Sequence, residues 1–150
     1  MANGRTHALA TLAAGSAGMV ALAISGDYIG AAGWASGAML GLIMTPDCDV
    51  DDGFYGLAVL REVSPLLSVA GQWYWKPYAR IVSHRSIISH GVIIGTFTRL
   101  VYAFWWFLLI YRPLYVSPFY MWLFVSLAIM DIVHIVMDWR IWGIAGIFRQ

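Results

Sequence analysis

The sequence predicts an all-α integral membrane four-helix bundle with one long interfacial connection between its second and third spans. Three observations carry that prediction. The 150 residues are 61% hydrophobic and only 11% charged, with a mean hydropathy of +0.72. A water-soluble domain carries roughly 25% charged residues, so this chain lacks the charge to cover a water-facing surface. Four apolar stretches approach the length of about 20 residues that a bilayer core requires. They are Ala8 to Ile24, Tyr28 to Met44, Val92 to Ile110 and Phe119 to Met137. By length the whole chain, 1–150, is one domain.

The first stretch follows Arg5 and resembles a secretory leader. Met1 is present and His7 lies at its start, which favours a retained span. The second is rich in alanine and glycine. Gly33, Gly37 and Gly41 recur every four residues, so they line one helix face and admit a neighbouring backbone. That face serves packing against the first span, and it leaves room for a homo-oligomer. The connection from Thr45 to Ser89 includes Trp73, Tyr74, Trp75 and Tyr78 among Lys76 and Arg80, a mixture suited to the headgroup layer. Pro65 and Pro77 argue against one unbroken helix through it. Ser89 is a good N-cap for the third span, with His90 in its first turn. The fourth span ends in HIVMDW.

Charge sets the orientation. Four spans return the C-terminus to the side of the N-terminus, and that side then holds Arg5, Arg61, Lys76, Arg80, Arg85, Arg140 and Arg149. The opposite side holds only Arg112, with Tyr111, Tyr115 and Tyr120 as interface anchors, and Arg99 falls inside the third span. The positive-inside rule makes the first side cytoplasmic. With a net charge of +1 there is no basic field for nucleic acid. The single cysteine, Cys48, excludes an internal disulfide.

The same topology gathers the polar chemistry. His7 starts span one, Asp47 and Asp49 follow span two, His84 and His90 precede span three, and His134 and Asp138 close span four. Alternate spans run in opposite directions, so these seven donors, with all four histidines among them, meet at the cytoplasmic face. His134 and Asp138 are four residues apart and share one helix face. Imidazole and carboxylate donors suit a divalent transition metal: zinc first, with manganese or iron as the other fits. Seven candidates exceed what one zinc needs, so either two ions share carboxylates or one ion has carboxylates orienting its histidines. Taken singly, each histidine reads as an interfacial polar residue, Asp51 and Asp52 as solvated loop charge, and Cys48 as a small buried side chain; a thiolate ligand is the alternative for Cys48. Deeper in the bundle, Arg99 lies about 13 Å beyond His90 along a helix and Asp131 lies on the antiparallel neighbour, so the two are expected to pair, an unpaired charge there being costly.

GRTH, PDCDVD, WKPY, HRSIISHGVIIGTFTRLVY and HIVMDW together resemble a family of uncharacterised metal-binding membrane proteins. That family looks related to the membrane-bound metal-dependent hydrolases under LexA control. The resemblance covers nearly the whole chain and implies a metal-dependent hydrolase in a bacterial or phage-encoded inner membrane. A more distant similarity is to zinc-dependent phospholipase C and related nucleases, which would place His7, Asp47 or Asp49, and His134 with Asp138 as ligands. This chain is shorter, membrane-embedded and lacks a second histidine–acid pair, which puts a full three-zinc cluster in doubt.

The resulting expectation is a phosphoesterase acting on an amphiphilic substrate at the membrane surface, with membrane lipids as its surroundings. Asp49 or Asp138, whichever is not fully ligating, would be the general base, and Arg5 and Arg85 would hold phosphate. A metal-stabilised binding protein or metal sensor is the alternative. A transporter or pore would need polar groups from face to face, and apart from Arg99 and Asp131 they cluster at one.

Overall fold

The computed structural model describes residues 4–50, 54–83, 86–110 and 117–147, and the side chains within them except for 106–110 and 139–147. Among the described residues there are seven α-helices and no strand. The four expected apolar helices are present as α1 (Gly4–Ile24), α2 (Tyr28–Ile43), α6 (Val92–Ile110) and α7 (Pro118–Ile147). Two of them, over Arg5–Ile24 and Pro118–Asp138, are long and apolar enough to cross a membrane; Tyr28–Ile43 and Val92–Trp105 are apolar but shorter.

The first two helices are joined by a tight reversal. Gly26 takes φ +86°, the left-handed conformation that only glycine adopts cheaply. Its N–H donates to Ala23 O and the Asp27 N–H to Leu22 O, at 3.1 and 3.0 Å, the paired bonds of a Schellman ending. Asp27 then caps α2, accepting from Gly30 N at 2.7 Å and from the Trp122 indole at 3.0 Å. One carboxylate thereby joins the start of α2 to α7.

The centre of the molecule is α2, between α1 and α7. Gly15 of α1 faces Ala38, where a Cβ would stand 2.6 Å from the alanine methyl, and Gly18 faces the Trp34 indole. The other glycine row does not serve α1. Gly33 and Gly37 lie against the carbonyls of Phe119 and Leu123, and Gly41 against Met130, all on α7. Ser126 Oγ donates to Trp34 O at 2.7 Å in the same seam. Small residues on α2 thus let two backbones close on each other. The outward faces are apolar: Leu9, Leu12, Val20, Ile24, Ile29, Met39, Ile93 and Phe97 are all exposed.

The long connection is helical. After α2 a 3-10 turn covers Pro46–Asp49, followed by α3 (Tyr55–Val63), α4 (Pro65–Ile81) and the four-residue α5 (Ile87–His90). Three expectations change here. Pro65 does start a helix, but Pro77 lies inside α4 without ending it. The aromatic run does not lie together in one layer. The 100° step of the helix turns Trp73 outward, 72% exposed, and buries Trp75 and Tyr78 at 5% and 4%. Those two enter a core with Met44, Cys48, Phe54, Leu57 and Val82. Tyr74 completes the docking of α4 on α6: its hydroxyl donates to Ala103 O at 2.8 Å, and the Tyr102 hydroxyl donates to Tyr74 O at 2.6 Å. Third, Ser89 does not cap the third span. Ser86 caps α5, accepting from Ser89 N, and α6 starts separately at Val92. Gly91, in extended conformation, breaks the helix between His90 and α6.

Candidate metal centre

His7, in the second turn of α1, is buried, as is His134 on α7; their rings stack with centroids 4.3 Å apart. Asp138, one turn beyond His134, presents one oxygen to each. His7 Nε2 lies 3.2 Å from Asp138 Oδ1, and His134 Nε2 lies 3.5 Å from Asp138 Oδ2. One donor atom from each of these three residues falls within 4.8 Å of the others. From the 3-10 turn, Asp47 adds Oδ2 at 3.3 Å from His134 Nε2. Three segments therefore converge, because α2 delivers Asp47 at the end where α1 begins and where α7 carries His134 and Asp138.

Asp47 also faces the other way. Its Oδ1 lies 3.9 Å from His90 Nε2, and His90 Nδ1 lies 3.8 Å from Asp49 Oδ2 and 2.9 Å from Ser89 Oγ. The structure thus brings six of the seven expected donors into one locus, with Asp47 between a His7–His134–Asp138 group and a His90–Asp49 pair. His84 lies outside the described residues, as do Arg85, Asp51 and Asp52. Arg5 is exposed in the first turn of α1.

The donor set fits a metal ion. Two ligands held about 2.1 Å from a tetrahedral zinc are themselves about 3.4 Å apart, and the His7–Asp138, His134–Asp138 and His134–Asp47 separations are 3.2, 3.5 and 3.3 Å. His7 Nδ1 and His134 Nε2 are buried and make no hydrogen bond of good geometry. A buried polar atom left without a partner costs about 1–3 kcal/mol, a deficit that an ion bound at His134 Nε2 would remove. His7, His134 and Asp138 would hold one ion, with His90 reaching a second position across Asp47, and a bound divalent ion would supply an activated water and a Lewis acid.

Cys48 is not a ligand. It is fully buried in the aromatic core, with its thiol 3.8 Å from Ile43 O. Burial pushes the thiol well above its usual range, against the opposing pull of Arg99. The expected Arg99–Asp131 pair is present and buried. Two further residues, hidden from sequence reasoning, complete this layer: Thr96, whose hydroxyl donates to Asp131, and Ser89, whose hydroxyl meets His90. A serine directly before a histidine was the only available signal for the second.

Fold and site together define a helical protein with a histidine–aspartate cluster that could hold a metal ion, set among apolar helices. Residues 2–136 match the family described as "Uncharacterized metal-binding protein (DUF2227)", and the chain belongs to that family. No curated protein and no solved structure matches the chain.

Proposed function

We propose that the chain is an integral membrane hydrolase that uses one or two divalent ions, zinc by donor chemistry, to cleave a phosphoester of an amphiphile at the membrane surface. The accessibility of the centre carries this reading. The side chains of Asp47 and Asp138 are each 32% accessible, while His7 and His134 behind them are 10% and 8%. A structural zinc is enclosed by four ligands; a catalytic one keeps an open position, and here the carboxylate side is open. Asp49, whose side chain is wholly enclosed, is better placed to orient His90. Asp138, shared by His7 and His134, is taken up as a ligand, which leaves Asp47, equally reachable from outside, as the better general base. Arg5, two residues before His7, and Arg85, beside His84 in sequence, are the cations nearest the donors along the chain and would hold a phosphate. The apolar outward faces support the membrane setting, and the cation asymmetry supports a cytoplasmic site. The resemblance to the LexA-controlled membrane hydrolases agrees with this reaction class.

The test is metal content by elemental mass spectrometry together with turnover of a soluble phosphodiester and a short-chain phospholipid. The proposal requires metal in the detergent-purified protein and turnover lost in H134A and D138N variants that stay folded. The second reading is a non-catalytic metal protein, favoured by ligands that tie α1, the 3-10 turn and α7 together. Bound metal without turnover on any phosphoester would establish it.

A further inference from the structure

We propose that Arg99 is the positioning residue of the metal centre, holding the His90-bearing helix α5 at a set height against the His134-bearing helix α7. This rests on the metal reading of the site with His90 among the ligands, beside Asp47. Arg99 is 1% exposed. Its Nη2 donates to the Asp131 carboxylate, which also accepts from Thr96, and its Nη1 donates to the Ser89 carbonyl at 2.6 Å. Ser89 in turn meets His90 Nδ1 through its hydroxyl at 2.9 Å. Asp131 precedes His134 by three residues on α7. A continuous polar path therefore runs from α7 through Asp131, Arg99 and Ser89 to the His90 ring.

The path is needed because α5 cannot place itself. It has four residues, far fewer than a helix requires to be stable alone. Gly91 separates it from the rigid α6. The approach is built for the purpose: Gly95 has no side chain, and a Cβ there would collide with the Ser89 carbonyl that Arg99 grips. Only a planar fork with several donors can serve Asp131 and Ser89 O together; a lysine is a point donor.

The deciding variant is R99M/D131L in the full-length protein. Replacing a buried ion pair by apolar side chains of similar volume is often neutral or stabilising, so this variant is the one that removes the tie at least cost to the bundle. The expected result is an unfolding midpoint without metal at or above that of the wild type, with zinc affinity lower by about tenfold or more, the range for loss of groups that orient ligands. Affinity is read by chelator competition. Adding H90A to R99M/D131L should lower affinity no further than H90A alone does. R99K, which keeps the charge beside Asp131, should fold and also bind zinc more weakly, and it decides the matter if the double variant fails to fold. Wild-type affinity in R99M/D131L or in R99K overturns the positioning role alone. A wild-type chain that takes up no metal overturns the metal reading and this proposal with it.

Discussion

Replacing Gly37 by alanine tests whether the α2–α7 seam sets the geometry of the centre. A Cβ at Gly37 would stand 2.8 Å from Ser126 Cβ and against the Leu123 carbonyl. Ordinary contact begins at 3.4 Å, so the helices must part by at least 3.4 − 2.8 = 0.6 Å. A backbone carbonyl cannot rotate aside as a side chain can. Overpacking of this kind costs about 1–3 kcal/mol, and alanine returns up to about 1 kcal/mol through helix propensity, so a net loss of about 1–2 kcal/mol is expected. Gly41→Ala is the internal control. Its nearest neighbour is Met130 Cβ at 3.0 Å, with no backbone carbonyl against it, so a shift of a few tenths of an ångström suffices and the helix gain and the packing loss should nearly cancel. Denaturant titration in detergent, followed by circular dichroism, reads both. Asp47 leaves the end of α2 and His134 sits on α7, 3.3 Å away, so G37A should also weaken metal binding and G41A should not. G37A as stable as the wild type, or no worse than G41A, would refute the reasoning.

Asp27→Ala removes the cap of α2 and the partner of the Trp122 indole together, and should cost about 1–2 kcal/mol, read as a lowered unfolding midpoint. A chelator should lower the midpoint of the wild type by the ligand-linkage relation, about 2.7 kcal/mol when free metal stands at 100 times its Kd; no change would argue against a bound ion. The Cys48 thiol is buried and pushed well above its usual range, so at pH 8 it should resist maleimide in the folded protein and react once unfolded; rapid labelling of the native protein would contradict the core placement.

Much of the site was legible from spacing and topology alone. His134 and Asp138 share a face because a helix repeats every 3.6 residues, and antiparallel spans force His7, Asp47 and His90 to the same end. The expected pairing of Arg99 with Asp131 followed from the cost of a lone charge among apolar side chains. Other features depended on which face of an element met which neighbour. Composition could not tell that Gly33, Gly37 and Gly41 serve α7 rather than α1, because a smooth face fits either. Nor could it tell that Trp75 and Tyr78 are core while Trp73 is surface, since all three suit a membrane interface equally.

The sequence by itself determined that the chain is helical, apolar outside and polar at one end, because periodicity, length and charge are local properties that no partner can change. Only the tertiary structure decided that Asp47 stands between two histidine groups, that Ser89 orients His90 instead of capping α6, and that Cys48 belongs to the core. Asp47 meets His90 and His134 across long stretches of chain, at distances set by how closely two backbones can approach, and the missing side chains of Gly37 and Gly95 allow that approach.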